Sequence, residues 1–117
     1  MKFSLNQPAA HFTAVSATLL AAALCLPAHA ADDAQLALGK KLFMTATPAC
    51  AVCHTLKDAG SEGAVGPVLD EIKPNAARVS QALLNGLGNM PSYKTSLSEA
   101  QIAALALYVA KATGAAP

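Results

Sequence analysis

Tryptophan is absent from this chain, and histidine and cysteine occur only three times each in 117 residues. A metal or redox centre built from those residue types has few donors to draw on. No basic tail or stripe is present, so the electrostatic footprint of a nucleic-acid-binding protein is missing. No apolar run reaches the roughly 20 residues that a comfortable membrane span needs. Convincing strands, hairpins and internal repeats are lacking as well. What is abundant is apolar: 54% of the residues are hydrophobic, much of that alanine.

The first thirty residues read as an export signal. Lys2 is the only cation ahead of an apolar stretch from about Val15 to Leu26, and Ala28-His29-Ala30 has the form of an A-x-A cleavage site. Cleavage after Ala30 would leave Ala31–Pro117 as one domain in the periplasm. Left uncleaved, the segment would be a membrane anchor, against which its short apolar length argues. Cys25 lies inside the signal behind a bulky Leu24, without a lipid-attachment context, and would be discarded with it. Without Lys2, seven cations face seven anions, and the mature chain is formally neutral. It then lacks the field that steers a protein to a highly charged partner.

Cys50-Ala51-Val52-Cys53-His54 is the most informative stretch. Two thiols within one helical turn, followed at once by an imidazole, form the spacing that attaches haem c. Each thiol can add across one vinyl group, and the histidine is then placed beneath the porphyrin to ligate iron. Zinc would need about four ligands, yet the only other histidines, His11 and His29, fall in the expected signal. A redox Cys-x-x-Cys would want a βαβ context, which the surroundings do not provide. A mature chain this small also struggles to build an unaided core, and a buried haem would act as its staple.

The remaining pattern is all-α. A helix capped by Asp32 or Asp33 runs to about Met44, with Leu36, Gly39 or Lys40, and Phe43 at helical spacing; Thr47-Pro48 ends it. The Cys50–His54 stretch forms a turn and a short helix to about Lys57, and the Gly-rich run from Asp58 to Pro67 reads as a loop. A second helix spans Ala76 to Leu84, with Val79, Leu83 and Leu84 inward and Gly86 as its stop; Gly86 to Pro91 is irregular. Ser98-Glu99-Ala100-Gln101 is a capping box opening a last helix to about Ala112, with Ile102, Leu105, Tyr108 and Val109 inward and Gly114 at its end.

A stable electron carrier wants two axial ligands on its iron, and His54 is the first. The mature chain offers no other histidine and no free cysteine, which leaves Met44 and Met90. Met44 lies close to the attachment site on the first helix and reads as core filler. Met90 lies in the Gly-rich stretch, stiffened by Pro91, free to reach the opposite face. Methionine ligation raises the reduction potential and closes the sixth position, favouring one-electron transfer over binding of oxygen or peroxide. The second ring nitrogen of His54 also needs a partner. The Pro67 carbonyl is the candidate, the alternative being that Pro67 is an ordinary turn proline.

With these elements in order, Ala31–Thr113 resembles the class I c-type cytochromes. The resemblance implies that the first and last helices cross near Gly39 and pack Phe43 against Tyr108. It also carries the axial ligands over to His54 and Met90 and the supporting carbonyl to Pro67. The missing tryptophan is a departure, since many relatives place an aromatic near a haem propionate; Tyr93, Lys94 or Arg78 would have to serve there. More narrowly, Lys57-Asp58-Ala59-Gly60, Gly63 to Leu69 and Gly86 to Pro91 are similar to the small monohaem cytochrome subunit of bacterial sulfite dehydrogenases, which takes electrons from a molybdopterin sulfite-oxidising subunit.

The expectation is therefore a periplasmic electron-transfer protein rather than an enzyme, a subunit or close partner of a dehydrogenase such as one for sulfite. An apolar patch of Val52, Val65, Leu87, Met90 and Pro91 would surround the exposed haem edge. A diffusible carrier to a terminal oxidase or peroxidase is the alternative. A haem enzyme or gas sensor is a third reading and would require an open sixth position.

Overall fold

Two helices that cross form the frame. The computed structural model describes residues 28–115. Helix α1 spans Ala28–Thr45, and after it come α2 (Cys50–Cys53), β1 (Thr55–Leu56), a 3-10 turn (Lys57–Ala59), β2 (Ser61–Glu62), α3 (Leu69–Ile72), α4 (Ala76–Asn85) and α5 (Glu99–Thr113). Residues 1–27, with Lys2, His11, the apolar stretch and Cys25, lie outside the described residues. None of the described helices is long and apolar enough to cross a membrane.

The α1–α5 crossing depends on Gly39. A Cβ at that position would run into the Ala104 carbonyl oxygen and the Tyr108 Cβ, so only a residue without one allows the backbones to meet. The approach lets Phe43 and Tyr108 pack edge to face, with ring centroids 6.1 Å apart and planes at 66°, a favoured aromatic geometry. Phe43, Leu83, Leu105 and Leu56 are buried almost completely, and α4 closes the core against α5.

Local sequence sets most element ends as expected. The Asn75 side chain accepts from the Arg78 amide to cap α4, and Gly86 at φ 72° stops it. At α5 the capping box is complete: the Gln101 amide donates to Ser98 Oγ at 3.2 Å, and the Ser98 amide donates to Gln101 Oε1 at 2.9 Å.

Five expectations need correction. Helix α1 starts at Ala28 rather than at an Asp32 or Asp33 cap, because the flanking alanines are strong helix formers and carry the helix through both aspartates; the A-x-A site thus lies in its first turn. The short helix expected to reach about Lys57 stops at Cys53, and Thr55–Leu56 is extended instead. The Asp58–Pro67 run is not wholly loop, since Thr55 pairs with Glu62 and Leu56 with Ser61 in a minimal antiparallel ladder. Its 3-10 turn ends on Gly60 in the left-handed region. Helix α3 is an element the sequence pattern did not suggest, being a single turn with no room for a period. The stretch after α4 is a tight turn, with Leu87 and Met90 exchanging backbone hydrogen bonds at 3.0 Å.

Candidate functional site

Between α4, α5, α2 and the loops lies a cavity of about 650 Å³. Phe43, Leu83, Leu105 and Val109 form part of its floor, so the helix crossing is continuous with the site. Cys50, Cys53, His54, Pro67 and Met90 all line it. Met44 does not: it is 44% exposed on the outside of α1, so it is neither core filler nor placed for ligation, its neighbours Leu42 and Phe43 having taken the inward face. His29 is exposed near the start of α1 and outside the cavity lining.

The thiols sit at the two ends of α2, one turn apart, and both are free. Burial pushes the Cys50 thiol up to about 11, so it is protonated at neutral pH and a weak nucleophile until activated. His54 follows α2 in extended conformation. The next loop folds back onto the motif: the amides of Val65 and Gly66 both donate to the Cys53 carbonyl, at 3.1 and 2.8 Å. That return brings Pro67 to the histidine. The Nδ1 of His54 lies 2.9 Å from the Pro67 carbonyl oxygen; a carbonyl only accepts, so Nδ1 holds the proton and Nε2 keeps its lone pair for a metal.

The chain just after the sulfur-bearing turn is tied back to the end of α4. The Ser92 hydroxyl donates to the Leu84 carbonyl at 2.6 Å, and the Tyr93 amide donates to the Leu83 carbonyl at 2.7 Å. Of the residues offered for a propionate, Tyr93 is buried with its hydroxyl donating to the Pro48 carbonyl at 2.7 Å. Lys94 is exposed and does not line the cavity. Arg78 does, and among the described residues it is the only Lys, Arg, Asp or Glu in the lining. The Tyr93–Pro48 bond is the feature sequence reasoning missed. It joins residues far apart in the chain, and no local pattern announces it.

These residues fit a haem. Two free thiols, one imidazole with a committed Nδ1, one thioether and an apolar wall converge on a single cavity. A Cβ added at Gly66 would lie 2.5 Å from His54 Cε1, so the loop is cut to admit that ring. Zinc fares poorly, since no group of three or more His, Cys, Asp or Glu side chains able to hold a metal ion occurs among the described residues.

Comparison with known proteins agrees. Residues 34–109 match the family described as cytochrome c oxidase, cbb3-type, subunit III. The crystal structure of the c-type cytochrome SorU from Sinorhizobium meliloti is 48% identical, with a TM-score of 0.68, over 71% of this chain and 95% of that one. No curated protein matches. With the fold and the cavity in agreement, the chain belongs to this cytochrome family: it is an all-α class I c-type cytochrome that carries covalently bound haem c.

Proposed function

We propose that this cytochrome is a periplasmic one-electron carrier in which Cys50 and Cys53 form the haem thioethers and His54 and Met90 ligate the iron. The supporting observation is that His54 and Met90 line the cavity shared by both thiols, whereas Met44, the other methionine among the described residues, is turned outward. Bound haem c would supply a one-electron couple, and a thioether ligand alongside the imidazole would raise its potential. The chain does the rest. Pro67 orients the imidazole and keeps its Nδ1 proton in place. The Leu87–Met90 turn holds the sulfur, and Phe43, Leu83, Leu105 and Val109 keep water away. Arg78, which lines the cavity, would meet the haem carboxylates.

Val65 and Leu87 line the cavity mouth at 73% and 70% exposure, and Val52 is 67% exposed. Exposed apolar residues of this size beside a redox centre suit a small transient contact, typically below about 1,200 Å². We assign the donor as a molybdopterin sulfite-oxidising subunit, on the residue runs shared with sulfite dehydrogenase cytochromes. The carrier is exported by its cleaved N-terminal segment and makes no contact with nucleic acid.

Two measurements test this. M90A should keep its haem, lose the far-red charge-transfer band of ferric iron bound to sulfur, and fall in potential; an unchanged spectrum and potential would refute the ligand assignment. Purification from the host should recover a molybdoenzyme with the cytochrome. Recovery of free monomer that accepts no electrons from sulfite oxidation would instead favour a diffusible carrier.

A further inference from the structure

We propose that Tyr93 is a positioning residue that keeps the sixth coordination site closed, by tying the Met90 turn to the chain segment that enters the haem-attachment motif. The inference rests on Met90 as the axial ligand. Tyr93 follows Met90 by three residues and meets two separate parts of the fold. Its amide donates to the Leu83 carbonyl at the end of α4, and its hydroxyl donates to the Pro48 carbonyl, two residues before Cys50. The ring between them is 3% exposed and lines the same cavity as Met90 and Cys50. The amides of Ser96 and Leu97 donate back to its carbonyl, at 3.1 and 2.9 Å, so the chain beyond it is held as well.

The Met90 turn has few other restraints. Leu87 is largely exposed, Gly88 and Asn89 are exposed, and the turn's own bonds are the Leu87–Met90 pair. Neither of those bonds, nor Ser92 to Leu84, reaches the segment that carries the thioethers. Among the described residues, only the Tyr93 hydroxyl does so. Swinging the sulfur away from the iron moves the backbone three residues from Tyr93, and the Tyr93–Pro48 bond resists that motion. A part-buried hydrogen bond present only in the closed state raises the closed population by the equilibrium factor it is worth.

The test is azide binding to ferric holoprotein, compared across wild type, Y93F, S92A and M90A. Y93F should retain haem and bind azide roughly three- to tenfold more tightly, the factor expected for one hydrogen bond. Its far-red sulfur band should weaken at lower azide. S92A loosens the same turn without touching the Pro48 segment and should stay closer to wild type. If Y93F binds azide as wild type does while M90A binds it readily, the tether is refuted and the ligand stands. If M90A leaves the sulfur band intact, the ligand reading itself fails, and this inference with it. Should Y93F yield no holoprotein, hydrogen exchange of the wild type decides. Azide should release residues 86–93 together with the amides of Val52 and His54, which donate to the Ala49 and Cys50 carbonyls, and release confined to residues 86–91 would overturn the tether.

Discussion

Gly66 lies against the imidazole of His54 so closely that an added Cβ would sit 2.5 Å from Cε1 and 2.8 Å from Nδ1. The same loop supplies the Pro67 carbonyl that accepts from Nδ1. One turn therefore both orients the ring and leaves no space for it to tilt. G66A should force the imidazole or the loop to move and break the Nδ1 hydrogen bond. Overpacking of this kind costs about 1–3 kcal/mol. The expected result is a lower yield of holoprotein and a lower melting temperature in what matures, read by haem absorbance and circular dichroism. An unchanged melting curve would show that the loop yields without strain.

Gly39 makes the corresponding contact at the helix crossing, against the Ala104 carbonyl oxygen and the Tyr108 Cβ. Here the neighbour is backbone on one side and a buried residue on the other, so neither has a free direction to move. Alanine would raise local helix propensity, yet G39A should destabilise the holoprotein by about 2–3 kcal/mol. Its midpoint potential should stay near that of wild type, because the change lies behind Phe43 rather than at the iron. Chemical denaturation and potentiometry of one preparation separate the two effects.

The parts legible in the sequence are those fixed by short-range rules. Ser98 and Gln101 announce their own capping box, and the spacing of Cys50, Cys53 and His54 states the attachment chemistry. Gly86 and Gly114 mark helix ends through their own backbone freedom. Pro67 could be placed only as a candidate, because the return of the Val65–Gly66 amides to the Cys53 carbonyl is a tertiary event. Met44 turns outward for a related reason: helical phase is set by the inward-facing Leu42 and Phe43, not by the hydrophobicity of methionine. Tyr93 reads from the sequence only as one of three candidates for a propionate, because no local pattern signals that Pro48 takes its hydroxyl. The two-residue strands carry no period to read.

Arg78 is exposed at the edge of a cavity that contains no other Lys, Arg, Asp or Glu among the described residues. A positive charge near a haem disfavours the ferric state, which carries one more positive charge than the ferrous. R78Q should therefore lower the midpoint potential, and R78K, which keeps the charge, should move it less. For a solvent-screened charge the effect is about 0.5–1 kcal/mol, or a few tens of millivolts for one electron. Equal potentials for R78Q and wild type would place the guanidinium away from the haem carboxylates.

Tyr108 and Asp58 link the crossing to the attachment region in a pH-dependent way. The Tyr108 hydroxyl donates to Asp58 Oδ2 at 2.7 Å, and Lys40 Nζ lies 3.1 Å from the same oxygen. The Tyr108 hydrogen bond, and then Lys40, hold the Asp58 carboxyl below its usual range. Burial first, and Asp58 second, push the Tyr108 hydroxyl well above its own. A lowered carboxyl stabilises the fold above its unfolded value near about pH 4, and that contribution is lost as pH falls through the folded value. A raised phenol stabilises fully below about pH 10 and loses its contribution as pH rises through the folded value. Y108F should thus remove part of both limbs, costing about 1 kcal/mol between them and less beyond either end. Tyr93, pushed up to about 12 with burial as the leading cause, leaves part of the alkaline loss in place. K40A should cost under about 1 kcal/mol, since that pair is half exposed. Thermal melts of holoprotein from pH 3 to 11 read the difference, and a Y108F curve parallel to wild type at both ends would disprove the coupling.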